Sequence, residues 1–244
     1  MKYCIVDERL PAPCESALTE KGFGIIKLAP ISALPSPIAS HTDIILFKNK
    51  SNIICSERYL SENPEIRASL YGLSSFINIK ECREYPFGEY PRDAIFNALT
   101  VGERLFARCE SVCRDILEYA EEAGLSVINV KQGYPACTVL AIGEDAAITS
   151  DRGMARALIF AGVDTLLIDE DSAISLPPYK NGFIGGTAGR IGKDIYFAGN
   201  ISALRDGENV TRFIESHGYV PHSLAPDASG LCDLGGLFFY EDNA

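Results

Sequence analysis

The chain has no run of 18 apolar residues, no cluster of basic residues, no CxxC pair and only three histidines. Each gap removes a class of protein. Without the apolar run, no segment is long enough to cross a bilayer as a helix. The opening residues, MKYCIVDERLPAP, carry acids and only a short apolar stretch. That is not the pattern of a secretory signal, so a cytoplasmic location is expected. A net charge of −11 with no basic cluster excludes nucleic acid as a partner, because phosphates call for grouped Lys and Arg. His41, His217 and His222 show no ligand spacing, and no metal is expected. Among the eight cysteines, Cys109 and Cys113 are one helical turn apart and would share a buried helix face as packing residues. The glycine-rich run NGFIGGTAGRIG (181–192) contains no GxGxxG and leads into the strand-like DIYFAG rather than a helix. It cannot hold a pyrophosphate at a helix N-terminus, and no cofactor is expected.

No low-complexity linker divides the chain, so residues 1–244 read as one domain. With 47% hydrophobic and 23% charged residues the composition is that of a soluble globular protein. Five times, a helix-like segment meets a glycine that leads into a short apolar run. The glycines are Gly22, Gly72, Gly124, Gly162 and Gly218. A residue just past a helix often adopts a left-handed conformation, which glycine takes without steric cost. Gly22 to Gly218 spans 196 residues in four steps, a mean of 49, and five such steps fill a chain of 244. A unit that recurs until the chain is used up predicts a closed ring of modules.

The unit is clearest around Gly162. TVLAI (138–142), a GED turn and AAIT (146–149) make a hairpin; Ser150 or Asp151 caps the helix RGMARALIFA; DTLLI (164–168) returns as a strand. Segments starting at 45, 95 and 188 fit the same frame, the first with a short helix around NPEIRASLYG and a strand LSSFINI. The second places its helix in ESVCRDILEYAEEAG. The fifth unit is split: GLFFY (236–240) pairs with KYCIVD, PCESALTEKG forms the helix and FGIIKL the last strand. Joining the two ends removes exposed sheet edges. The fold class is α/β, an α/β propeller of five ββαβ units about a pseudo-fivefold axis. Residues 29–40 and 81–90 act as loose connectors. A Rossmann-like sheet, with strands alternating singly with helices, is the competing topology; the paired strands at 138–149 and 188–198 argue against it.

In such a ring the first strand of each unit faces the axis. Stacking the entries HTDI, YPRDA, YPACT, IGGTA and DLGGL puts Asp43, Asp93, Cys137, Gly186 and Gly235 in one column. Two carboxylates, a thiol and two glycines would make an acidic axial cavity suited to a planar cation. Cys137 is the only candidate nucleophile, and needs something to lower its pKa. Two readings stand at each position. Asp43 and Asp93 hold a ligand or cap turns; Cys137 reacts or packs; Arg92 serves the ligand or pairs with a carboxylate; Gly186 and Gly235 leave room for a ligand or for backbone packing. His41 and His222 are the candidate bases.

This arrangement resembles the pentein fold of the guanidino-group-modifying enzymes, which include arginine deiminases, dimethylarginine hydrolases and amidinotransferases. YPRD (90–93) is similar to that superfamily's aromatic-x-Arg-Asp segment, whose Asp binds the substrate guanidinium. The resemblance implies that role for Asp93. The superfamily's remaining residues are missing from their places. Its Glu-Gly-Gly-Asp segment is replaced by YPACT, its histidine by Phe183 or a neighbour, and its C-terminal cysteine by Phe239, with Cys232 on the wrong side of the glycine pair. The usual Cys–His–acid set is therefore not found there, and the chain resembles a divergent, compact branch. The ribosome anti-association factor family (initiation factor six) shares the architecture but no motif. The sequence supports two functions: binding, with possible hydrolysis or transfer, of a small guanidine-, amidine- or amine-like cation, or a catalytically inactive module for a ligand or protein partner.

Overall fold

The computed structural model describes residues 1–75 and 77–241. The first sheet element is β1 (Lys2–Asp7), followed by α1 (Ala12–Glu20) and β2 (Phe23–Leu28). The next group is α2 (Thr42–Ile45), β3 (Leu46–Asn49), β4 (Asn52–Ser56), α3 (Glu57–Glu62), α4 (Pro64–Tyr71) and β5 (Asn78–Cys82). Then come β6 (Leu99–Val101), β7 (Arg104–Ala107), α5 (Arg114–Glu122) and β8 (Ser126–Asn129). The third group is α6 (Pro135–Thr138), β9 (Val139–Ala141), β10 (Ala146–Thr149), α7 (Arg152–Phe160) and β11 (Asp164–Leu167). After β12 (Ile174–Ser175) the fourth comprises β13 (Ala188–Ile191), β14 (Asp194–Phe197), α8 (Gly207–Ser216) and β15 (Val220–Ser223). The described chain ends with β16 (Leu231–Cys232) and β17 (Phe238–Glu241).

These strands form five three-stranded sheets of one design and a small β12–β16 pair. In each sheet a hairpin pairs antiparallel, and the strand after the helix returns parallel to the middle strand. The fifth sheet is built from both ends of the chain: β17 runs antiparallel to β1, with Tyr3 opposite Tyr240, and β2 runs parallel to β1. The hairpins at 139–149 and 188–197 exclude a singly alternating topology.

The middle strands are apolar at consecutive positions because both their faces are buried. Side chains alternate across a strand, so neighbours in sequence enter different cores. Ile53 and Cys55 join the core containing Ile5 and Ile26, whereas Ile54 joins the core containing Leu105 and Ala107. Phe106 faces Val139 and Ala147. Ile148 faces Ile195 and Phe197, and Tyr196 and Ala198 face Cys4 and Val6. Each of the five cores is thus shared by two sheets, and the last is shared by the fourth sheet and the sheet of the chain ends.

Several local expectations change. Gly22, Gly124, Gly162 and Gly218 have φ of +81°, +67°, +77° and +77°, whereas Gly72 keeps a right-handed φ of −60°. The turn after α4 is accordingly longer, and β5 begins at Asn78, beyond most of LSSFINI; Phe76 of that segment lies outside the described residues. The helix around NPEIRASLYG is preceded by α3, the two meeting at Asn63–Pro64. Asp151, not Ser150, caps α7, accepting from the backbone N–H groups of Gly153 and Met154. Cys109 and Cys113 do not share a helix face: Cys113 is the residue before α5, and its Sγ lies 3.7 Å from that of Cys82. Among the described residues, no helix is long and apolar enough to cross a membrane.

Candidate functional site

Short helical turns, not strand starts, carry the column of candidate residues. Asp43 sits in α2, Asp93 in the turn Arg92–Ala94, Cys137 in α6 and Gly186 in the turn Gly185–Thr187. Gly235 lies in the loop between β16 and β17. That loop is stitched to α2: the N–H groups of Thr42 and Asp43 donate to the carbonyls of Leu234 and Gly235 at 3.2 and 3.1 Å.

Cys137 and Asp43 meet at the centre. The Cys137 thiol donates to Asp43 Oδ2 at 2.7 Å, and both residues are buried. Asn97 holds the thiol from the other side, its Nδ2 donating to Sγ at 3.5 Å while its Oδ1 accepts from the Ala136 N–H at 2.8 Å. His41 and Asp233 complete the cluster. His41 Nδ1 lies 3.9 Å from Asp233 Oδ1, and one donor atom each from His41, Cys137 and Asp233 fall within 4.8 Å of one another. Asp233 accepts from the N–H groups of Phe183 at 2.8 Å and Gly235 at 3.2 Å. His41 is fully buried, yet among the described residues neither ring nitrogen has a hydrogen-bond partner.

The two glycines explain how these groups approach so closely. A Cβ on Gly186 would strike the Asp233 carboxylate, and one on Gly235, where φ is +68°, would lie 2.6 Å from Asp43 Oδ1. The glycines serve the carboxylates as packing room. Asp93 is also buried; its Oδ2 accepts from the Tyr134 hydroxyl at 2.5 Å, and its Oδ1 has no partner among the described residues. Arg92 is outside this cluster: it is exposed, with its guanidinium over the Phe87 ring at 5.4 Å. His222 is likewise elsewhere, bonded to Asp194 and stacked on Tyr196.

Burial dominates the electrostatics, because a charge in a low-dielectric interior is costly. It pushes the Asp43 carboxyl up to about 8 and raises Asp93 and Asp233. It lowers His41. Burial, followed by the charges of Asp43 and Asp233, holds the Cys137 thiol well above its ordinary value. A cation entering the cluster would oppose these shifts, favouring carboxylate and thiolate. A cavity of about 710 Å³ reaches Asp43 and Gly235. It is lined by the first strand of every three-stranded sheet, through Lys48, Leu99, Leu140, Arg190 and Phe239 among others.

Sequence reasoning named His41 only as a possible base and passed over Asp233, Asn97 and Tyr134. A signal existed for two of them. His41 and Asp233 each lie two residues before the column position in their own segment, before Asp43 and Gly235. The set missing from the superfamily's positions is therefore matched by a different thiol, imidazole and carboxylate, drawn from the entries of the first, third and fifth sheets.

Over residues 5–238 the chain matches the family described as "Family of unknown function (DUF6873)". No protein with a curated description matches the sequence. Among solved structures, the fold is similar to a dimethylarginine dimethylaminohydrolase from Pseudomonas aeruginosa complexed with citrulline. That match has a TM-score of 0.53 at 11% identity and covers 92% of each chain. An amidinotransferase of the saxitoxin pathway from Microseira wollei matches with a TM-score of 0.54 at 10% identity, over 91% of this chain and 88% of that one. C. jejuni agmatine deiminase matches at 0.53 and 8% identity, over 91% and 87%. The chain has the pentein fold of the guanidino-group-modifying enzymes.

Proposed function

Because this chain belongs to the DUF6873 family and carries the pentein fold, we propose that it binds a small guanidine- or amidine-like cation at the buried Cys137–Asp43 centre and cleaves it. The observation that carries this reading is the 2.7 Å contact between Cys137 and Asp43, beside His41 and Asp233, in a buried cluster. Asp43, Asp93 and Asp233 supply negative charge for a planar cation. The five sheets close into a ring about one axis, an arrangement supported by the five shared cores and the five-sided lining of the cavity.

The cation first lowers the cost of ionising the thiol, and the Cys137 proton passes to Asp43. Sγ then attacks the central carbon of the guanidine, forming a C–S bond. The C–N bond to the departing amine breaks as Asp43 gives that proton to the leaving nitrogen, which leaves a thiouronium on Sγ. Water attacks the thiouronium carbon and gives one proton to His41; the C–S bond breaks, His41 returns that proton to Sγ, and the remaining proton of the ureido product leaves on the released amine. A competing amine at the last step would make the reaction a transfer.

A catalytically inactive module, for this ligand or a protein partner, is the second reading. It is favoured by the 4% exposure of Cys137 and the raised thiol pKa. Eight free cysteines, six of them buried, suit the reducing cytoplasm as the location. The test is incubation with arginine, N-methylated arginines and agmatine, measuring ammonia or amine release and the ureido product. Turnover lost in Cys137→Ser supports the enzyme. A protein stabilised by these compounds but never turning them over supports the module.

A further inference from the structure

We propose that His41, Cys137 and Asp233 form a binding site for one divalent ion of the zinc class, with Asp43 as the adjacent fourth donor. The ion occupies the same atoms the reaction would use, so its bound form is a blocked, resting form of the site. Coordination at these atoms needs no turnover of a guanidine.

The geometry already brings the donors together. One imidazole nitrogen, one sulfur and one carboxylate oxygen lie within 4.8 Å of one another. Tetrahedral zinc, with bonds of about 2.0–2.3 Å, needs donors roughly 3.5 Å apart. The donors need to close by roughly 1 Å, a shift shared among three side chains on the residue before α2, the α6 turn and the loop after β16. The donor types are selective. Nitrogen, sulfur and a single carboxylate oxygen suit zinc, cobalt or nickel, whereas magnesium and calcium call for all-oxygen shells.

A second observation points into the same space. His41 is completely buried and both of its ring nitrogens are unpartnered, as is Asp43 Oδ1. A buried imidazole with two unsatisfied nitrogens is costly, and a metal bond satisfies one of them. Among the described residues no Lys or Arg forms a salt bridge with Asp43 or Asp233: the nearby Arg9 guanidinium, whose charge reaches Asp233, is bonded to Asp7. The outer partners are in place to orient the ligands, with Phe183 and Gly235 donating to Asp233 and Asn97 donating to Cys137. On binding, Cys137 Sγ releases its proton to solvent and coordinates as thiolate, with no change of oxidation state.

The test titrates Co²⁺ into chelator-treated full-length protein. The expected result is a thiolate-to-cobalt charge-transfer band and the visible bands of a tetrahedral site, saturating at one equivalent. Cys137→Ser abolishes the charge-transfer band; His41→Ala and Asp233→Asn, which each remove a ligand, weaken binding by more than the roughly 10–100-fold that loss of an outer partner costs. No band in the wild type, or a band that survives Cys137→Ser, overturns the proposal. Wild-type protein gives an independent reading should a variant fail to fold. Zn²⁺ is expected to slow alkylation of Cys137 at least tenfold while leaving Cys109 unchanged; equal alkylation of Cys137 with and without Zn²⁺ contradicts the site. Neither measurement contains a guanidine, so failure of the proposed reaction leaves these outcomes readable.

Discussion

Cys137 Sγ and Asp43 Oδ2 stand 2.7 Å apart although 94 positions separate them in the chain. The contact exists because α2 and α6, the helical turns that lead into β3 and β9, each deliver a side chain to the same place. It couples a thiol to a carboxyl that burial has pushed up to about 8. The folded chain therefore holds a proton on Asp43 between its ordinary 3.8 and about 8, where the unfolded chain does not. Stability consequently falls as pH rises through that window. Asp93 and Asp233, raised by burial, act in the same sense. His41 acts oppositely: lowered from 6.5 by burial, it favours the unfolded chain in acid. With metal removed by EDTA, urea unfolding should show stability dropping from pH 6.5 to 8, with Asp43 contributing on the order of 1–2 kcal/mol. Asp43→Asn should flatten that drop. A variant whose pH profile parallels the wild type contradicts the assignment.

Gly22 and Gly235 separate backbone strain from crowding. Both have positive φ, +81° and +68°, but a Cβ on Gly22 meets nothing within 4 Å, whereas one on Gly235 would meet Asp43, His41 Cβ and the Thr42 nitrogen. Gly22→Ala should cost about 1 kcal/mol from strain alone. Gly235→Ala should cost at least about 2 kcal/mol more and remove ligand binding, because Asp43 and His41 must move. Equal denaturant midpoints for the two variants would show that the cluster is not held this tightly.

The joined chain ends make a stability prediction. Phe239 on β17 is 4% exposed and packs against Phe23 at 5.1 Å and Tyr196 at 5.4 Å between ring centres. Phe239→Ala should cost about 3–5 kcal/mol. Phe160, 93% exposed at the end of α7, provides the control, and its replacement by Ala should change stability by less than about 0.5 kcal/mol. Chemical denaturation of the two variants checks the difference.

Among the described residues, Tyr134 supplies the one side-chain hydrogen bond to Asp93, at 2.5 Å to Oδ2. Tyr134→Phe leaves a buried carboxyl with neither oxygen held by a side chain, and should destabilise by about 1–3 kcal/mol. Replacing both, as Tyr134→Phe with Asp93→Leu, should recover part of that loss. A double variant less stable than Tyr134→Phe alone would contradict this account of the pair.

Much of the architecture was legible because each unit repeats local signals that do not depend on distant contacts. Asp151 capping α7, the left-handed glycine at 162 and the consecutive apolar residues of β10 all report the unit directly. Gly72 misled because the α4 end needs no left-handed residue, and the chain inserts a longer turn before β5. The site was harder. Stacking segments by their apolar runs found Asp43 and Cys137, but the helical turns before the strands rotate side chains by steps a strand register does not describe. Asp233 and His41 enter from two residues earlier, and Arg92 turns outward onto Phe87. Asn97 is one helical turn past Asp93, a spacing meaningful only once that segment is known to be helical in part.

The most direct test of the central claim is thermal unfolding of metal-free protein with arginine, N-methylated arginines and agmatine at millimolar concentration. A site of this kind predicts a saturable rise in Tm for at least one of them, corresponding to about 2.7 kcal/mol at 100 times the dissociation constant, and loss of that rise in Asp43→Asn. No rise with any of these cations, or an undiminished rise in Asp43→Asn, would contradict it.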